Sequence, residues 1–187
     1  MNKFVTNFIN LMTMENQPYI TLMDNARIRR TLKRMIYQIA EKARERDVLL
    51  VGLNERGAAM TKEMESLMQN ALDCPPDVAF FNLDDKNLSG VAASIREDHD
   101  FMGKMVVLVD DVIFSGKTMF TALQKLLADL ECTVYIAVLI DRGHRRMPVQ
   151  AEFVGREIST KPNEHVELIL NEGKADRVLL YKFKQDA

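Results

Sequence analysis

The sequence predicts an α/β fold: a central, mainly parallel sheet flanked by helices, with a β-hairpin near the C-terminus. Three observations carry that expectation. Unbroken apolar runs of strand length recur at Val48–Leu53, Met105–Val109 and Val134–Ile140, as strands buried on both faces do. The first two each feed a short turn and then apolar residues at helical spacing. Last, Val166–Leu170 and Val178–Phe183 flank Asn171–Glu172–Gly173, a turn between two strands. At 187 residues the chain suits one domain with a sizeable core; we divide it into an extension, residues 1–17, and a domain, residues 18–187.

In chain order, residues 1–17 read as a disordered lead or a segment that packs on a partner, with Phe4, Phe8 and Leu11 on one helical face. The internal Met12 and Met14 offer alternative starts. Asp24 is a fitting N-cap for a helix to about Glu45, with an apolar stripe of Ile28, Leu32, Met35, Ile36, Ile39 and Ala43. Its other face carries Arg27, Arg29, Arg30, Lys33 and Arg34. That face is either plainly solvated or a basic patch for RNA phosphates or a subunit contact. Strand Val48–Leu53 runs into Asn54–Glu55–Arg56–Gly57, and helical spacing resumes at Ala58 with Met60, Met64, Leu67 and Met68. Pro75–Pro76 ends that region, and Val78–Leu83 reads as a third strand. Residues 84–103 are polar and turn-rich, so a long loop is expected, of a length uncommon unless functional. After Thr118, Phe120, Leu123, Leu127 and Leu130 keep helical spacing.

Composition narrows the class. Hydrophobic residues make up 47% and charged residues 28%, ordinary for a globular protein. A net charge of −2 gives no bulk attraction to nucleic acid, so an RNA contact would need a local patch. Cys74 and Cys132 stand far apart without a CxxC, which argues against a disulfide framework and fits a reducing cytoplasm. No apolar run approaches the roughly 18 residues of a membrane span, and Phe4–Met12, broken by Thr6, Asn7 and Asn10, makes a poor signal peptide. His99, His144 and His165 are dispersed without metal-ligand spacing.

The chemistry concentrates in Asp110–Asp111–Val112–Ile113–Phe114–Ser115–Gly116–Lys117–Thr118. Ser115, Gly116, Lys117 and Thr118 offer backbone N–H groups, two hydroxyls and an ammonium at a helix N-terminus, where the dipole favours an anion. A Walker A loop is excluded, since its first glycine would fall at Asp111. Acids and glycines also punctuate ordinary strand-to-helix turns. The reading that uses both halves is that the carboxylates accept sugar hydroxyls while the turn holds a phosphate, as a ribose 5-phosphate requires.

These residues resemble the phosphoribosyl-diphosphate motif of type I phosphoribosyltransferases. The mid-loop aromatic Phe114, with "DRGHR" at Asp141–Arg145, Pro148, Ala151, Gly155, Ile158 and Thr160, is similar to the pyrimidine-operon attenuation regulators that double as uracil phosphoribosyltransferases. The resemblance implies a type I phosphoribosyltransferase fold with a small hood over the base. It implies Asp110, Asp111 and Arg56 as catalytic residues and Ser115, Gly116, Lys117 and Thr118 around the 5′-phosphate. Glu55, Arg56 and Gly57 would hold the diphosphate, through a non-proline cis bond at Glu55–Arg56. Phe114, Asp141, Arg142 and Val154 would form the base pocket. Mg²⁺ is the implied cofactor. The implied partners are phosphoribosyl diphosphate, a pyrimidine base or UMP, RNA, and further copies of the chain in a homo-dimer or larger homo-oligomer.

The chain departs from the family pattern in two places, and Glu55, where a small hydroxyl residue is expected, is one. A mobile loop beginning Tyr-Arg-Asp-Asp is expected where this chain reads Asn82–Leu83–Asp84–Asp85, so the loop arginine is missing. Where purine-specific relatives place a carboxylate base, this chain has Phe114, which favours a pyrimidine that reacts as its anion. The expected function is transfer of ribose 5-phosphate to uracil with release of diphosphate. The alternative is a nucleotide-sensing, RNA-binding regulator of pyrimidine genes with weak or lost catalysis.

Overall fold

The computed structural model describes residues 18–68, 75–99, 101, 103–126, 132–161 and 163–183. The expectations for residues 1–17, and for Leu127 and Leu130, lie outside the described residues. In chain order the elements are β1 (Tyr19–Met23), α1 (Asn25–Ala43), β2 (Val48–Leu53), α2 (Asn54–Met68), β3 (Asp77–Phe81), α3 (Leu88–Asp98), β4 (Met105–Ile113), α4 (Lys117–Leu126), β5 (Thr133–Asp141), β6 (Phe153–Glu157), β7 (Glu164–Asn171) and β8 (Lys174–Lys182).

Five parallel strands form the central sheet in the order β3-β2-β4-β5-β6. All six residues of β2 and the first seven of β4 are buried, because helices cover both faces, which is why these strands read as unbroken apolar runs. One core holds α1 and α2, through Ile28, Leu32, Met35, Met60 and Met64, against Leu50, Val107 and Leu139. The other holds α3 and α4, through Ala92, Ile95, Met119 and Ala122, against Val51, Leu108 and Val138. From β2 the chain moves outward to β3, and from β4 it moves the other way to β5. The strand order therefore reverses between β2 and β4, the crevice where open α/β sheets take ligands.

A second sheet, β1-β8-β7, is antiparallel throughout. Its hairpin turns at Glu172 and Gly173, both at positive φ, the geometry that matches strand twist in a tight hairpin. Strands β1 and β6 were not expected from sequence: each is five residues long and half exposed, too short for a pattern to show.

Three expectations are corrected. Residues 84–103 are not one loop, since α3 occupies Leu88–Asp98. Leu88, Val91, Ala92 and Ile95 form its apolar stripe against the second core, and the Asn87 side chain caps it by accepting from Gly90 N. Helix α2 begins at Asn54, not Ala58, leaving no loop after β2. Asn54 turns the corner at φ +53°, a conformation Asn tolerates better than most residues. No peptide bond among the described residues is cis, so Glu55–Arg56 is trans, as a position inside a helix requires.

Candidate active site

Helix α2 lies unusually close to the sheet at its first turn. A Cβ on Gly57 would stand 2.5 Å from the Val109 carbonyl oxygen, so only glycine permits this approach. Gly52, directly opposite, leaves room for Thr61, whose hydroxyl donates to the Gly57 carbonyl at 2.8 Å. This contact sets Arg56 beside the end of β4, with its Nε 3.9 Å from Asp111 Oδ2.

Asp110 and Asp111 were expected after the strand but belong to it: β4 continues to Ile113, and Asp110 pairs with Val138 of β5. Both acids are buried. Asp110 Oδ1 accepts from the Asp111 N–H at 3.0 Å, and Asp111 Oδ2 accepts from the Leu168 N–H at 3.4 Å. Burial, then the adjacent Asp111 charge, holds the Asp110 carboxyl well above the usual carboxylate range. Gly116 then turns the chain at φ +80° into α4. The Ser115 carbonyl accepts from Arg146 N and Met147 N at 2.9 and 3.1 Å. Ser115 Oγ lies 3.4 Å from Lys117 N, within the first turn.

A cleft of about 830 Å³ opens over this edge. Its lining includes Glu55, Arg56, Asp110, Asp111, Phe114, Thr118 and Arg142, so two segments 55 and 110 residues into the chain meet a third at 142. Ser115, Gly116, Lys117 and Gly57 do not line it. The first three shape the neighbouring helix N-terminus, and Gly57 is buried under the first turn of α2.

Arg142 is buried and rigidly held. Its Nε donates to Thr160 Oγ1 at 3.0 Å, its Nη2 to the Glu164 carbonyl at 2.5 Å, and its guanidinium sits 4.3 Å from the centre of the Phe114 ring. His144 leans on the other side of the cluster, with ring centres 5.1 Å apart from Phe114 and Nε2 2.6 Å from the Thr160 carbonyl. That is a structural contact.

Asp141 and Val154 depart from the expected base pocket. Asp141 pairs with Arg145 Nη2 at 2.6 Å, and the same arginine donates to the Phe114 carbonyl at 3.0 Å. The Asp141 carboxylate therefore braces the loop that carries Phe114. Val154 packs on the second core, at the edge strand β6.

The sheet β1-β8-β7 is the hood expected of the C-terminal hairpin: Glu164, His165, Val166 and Phe183 line the cleft from β7 and the end of β8, and no local motif singles out these four side chains. Atoms crowding the His165 ring, then the charges of Arg142 and Arg56, push its pKa down and favour the neutral imidazole. Asn54 ties the remaining wall in place, its Oδ1 accepting from Leu83 N at 2.9 Å. A depression of about 990 Å³ lies elsewhere, between the end of α1 and Glu152–Phe153. It is larger, but exposed charged side chains line it and it holds none of the motif.

The α1 basic face is thinner than its composition implies. Arg29 pairs with Glu63 at 3.7 Å, and Arg34 Nη2 donates to the Val154 and Gly155 carbonyls at 2.9 and 2.7 Å. Arg27, Arg30 and Lys33 are exposed and enter no ion pair among the described residues.

Comparison with known proteins gives a family and a shared fold. A phosphoribosyl transferase domain model matches residues 19–172. The bifunctional protein PyrR of Chloroflexus aurantiacus is 37% identical over 169 residues, covering 85% of this chain and 91% of that protein. PyrR of Listeria monocytogenes serotype 4b is 33% identical over 180 residues, covering 89% and 98%. Among solved structures, the HGPRT-ase of Leishmania tarentolae in complex with GMP aligns with a TM-score of 0.69 at 15% identity, over 88% of this chain and 98% of that one. The hypoxanthine phosphoribosyltransferase of Trypanosoma cruzi aligns at 0.66 and 16%, over 88% and 97%. At those identities the likeness is one of fold.

Proposed function

We propose, from the premise that the chain belongs to the phosphoribosyl transferase domain family and is itself a phosphoribosyltransferase, that uracil is the base it uses. The products are then UMP and diphosphate. One observation carries this reading: buried acids on β4 lead straight into the anion-binding start of α4, and an aromatic, Phe114, stands between them in the cleft. In the reaction the bond from the sugar C1′ to the diphosphate oxygen breaks and a bond to the base nitrogen forms; the base gives up its N–H proton. No carboxylate sits at position 114 to take that proton, which suits a base acidic enough to react as its anion.

The residue roles follow from their places. Asp110 and Asp111 hold the ribose hydroxyls, directly or through water. Ser115, Gly116, Lys117 and Thr118 hold the 5′-phosphate by amides, hydroxyls and the helix dipole. Glu55 and Arg56 meet the diphosphate, with Gly57 setting their height above the sheet. Phe114 and the buried Arg142 meet the base, while Asp141 and Val154 support that wall from behind. The cleft carboxylates Glu55, Asp84, Asp110 and Asp111 are hard oxygen donors of the kind Mg²⁺ accepts beside its waters. Bound, Mg²⁺ would neutralise the diphosphate. No cluster of three ligating side chains occurs among the described residues.

The test is direct: incubate the chain with Mg²⁺, phosphoribosyl diphosphate and each base, and measure nucleotide formed. UMP from uracil and no nucleotide from hypoxanthine is the expected result; no turnover with any pyrimidine overturns it.

A second activity is favoured by Arg27, Arg30 and Lys33, which stand unpaired on α1 among the described residues. They support RNA binding by this chain, as a regulator responsive to UMP. Binding that weakens steeply with salt and changes with UMP is expected; no RNA affinity at low salt removes it. The exposed Tyr37 and Phe80 support a homo-oligomer, which sedimentation would reveal.

A further inference from the structure

Glu167 does not line the cleft, yet three interactions around it join the hood to the catalytic edge. Arg56 Nε donates to the Leu168 carbonyl at 2.8 Å, Arg56 Nη2 bonds the Glu167 carboxylate, and the Leu168 N–H donates to Asp111. One dipeptide of β7 thus receives both a residue of the β2 junction and an acid of β4. It lies 112 and 57 residues away from them in sequence.

The guanidinium is planar, with five donors in a fixed fork. Once Nε and one Nη2 hydrogen are committed to the hood, the direction of the rest is set. Nη1 and the second Nη2 hydrogen remain, and no described residue takes Nη1. Arg56 lines the cleft, so these uncommitted donors are the ones it has left for a ligand there.

The charges explain why a carboxylate is needed there. Arg56 lies between two mostly buried acids, Asp111 on the strand and Glu167 on the hood. With Asp111 alone, the guanidinium would close the 3.9 Å gap and pair fully with it. Both side chains would then be withdrawn from a ligand at once. Glu167 draws Arg56 the other way.

We propose that Glu167 is a positioning residue. It aims the free edge of Arg56 at the diphosphate of phosphoribosyl diphosphate and keeps Arg56 from neutralising Asp111. This rests on the reading above that Arg56 meets the diphosphate. It assigns to the hood a part in leaving-group binding, beside its part in covering the base.

The experiment compares two ligands by calorimetry in the full chain: phosphoribosyl diphosphate with Mg²⁺, and UMP, which has the 5′-phosphate and base but no diphosphate. Glu167→Ala should weaken phosphoribosyl diphosphate by about tenfold or more, the scale of one charge-assisted hydrogen bond, and leave UMP within about twofold. Glu167→Gln keeps an acceptor without the charge and should weaken the same ligand by about three- to fivefold. In an Arg56→Ala background, Glu167→Ala should cause no further loss, since the effect runs through Arg56.

Equal losses for both ligands, or the same loss with and without Arg56, would mean that Glu167 merely holds the hood in place, and the proposal falls. If Glu167→Ala does not fold, Glu167→Gln decides alone, and unchanged phosphoribosyl diphosphate affinity overturns it. Binding is read without turnover, so a chain that binds the sugar diphosphate but makes no UMP fails the uracil reading and leaves this one to be scored.

Discussion

Two junctions at one edge of the sheet invite comparison. After β2 and after β4 the chain does the same thing, leaving a buried strand and starting a helix across the crevice. After β4 the turn is glycine at positive φ, and the side chains that follow are hydroxyls and an ammonium around an open helix start. After β2 the turn is Asn54 at positive φ, and the side chains that follow are an acid and an arginine already engaged by the hood. Identical topology therefore yields one junction whose polar side chains stay open and one braced arm. What differs is whether the junction is held through its backbone, by Arg145–Met147, or through its arginine, by the far end of the chain.

The comparison breaks most sharply at the two glycines. Gly57→Ala sets a Cβ against the Val109 carbonyl, a backbone atom that cannot swing aside. It should destabilise the chain by about 2–4 kcal/mol, through overpacking that separates α2 from the sheet. Thermal unfolding would show a Tm lower by roughly 5–15 °C. Gly116→Ala meets the side chain of Val149 and a backbone at φ +80°. It should cost less, about 1–2 kcal/mol, but should depress turnover far more than Tm, because the strain falls on the phosphate turn itself. If Gly116→Ala proves the more damaging to folding, the contrast between a braced and an open junction is wrong.

Asp110→Asn sharpens the same contrast with the smallest and opposite change in stability. Its carboxyl is raised by burial, so the folded state holds a proton that the unfolded state releases. Between the unfolded pKa and the higher folded pKa stability falls as pH rises, and the penalty is complete above the folded value. The uncharged asparagine escapes it. Asp110→Asn should therefore be more stable than the parent at neutral pH, by on the order of 1 kcal/mol. The advantage should shrink as pH falls and vanish below about pH 3, where both states of the parent are protonated. Turnover should drop, since a sugar-binding acid is lost. Unfolding curves at two pH values check it; a less stable variant at pH 7 would refute the burial argument.

Legibility in the sequence follows the same division. The buried strands could be read directly, because β2, β5 and most of β4 are apolar on both faces, and the turn at Ser115–Thr118 stood out because its glycine and polar side chains fall together. The partners of Arg56 could not, because Glu167 and Leu168 sit on a hairpin that looks like any amphipathic pair until it is folded over. Helix α3 was hidden for a different reason. Its stripe, Leu88, Val91, Ala92 and Ile95, is only two turns deep, and the cap at Asn87 and packing beside α4 make it a helix. Val154 was read as a pocket residue from its motif, and its position on the edge strand β6 shows what a motif lacks: which side of the sheet a residue faces.

The hood is knitted from the first strand and the last two, with Tyr19 opposite Tyr181 and His165 opposite Tyr181 on the other flank. A nascent chain can pair all five parallel strands once Glu157 has emerged, yet the cleft still lacks the wall that β7 and β8 supply. The parallel platform can thus be assembled early, whereas the cleft is walled only once β8 has been made and slots between β1 and β7. A chain cut short before Lys174 would keep most of its sheet and none of its hairpin.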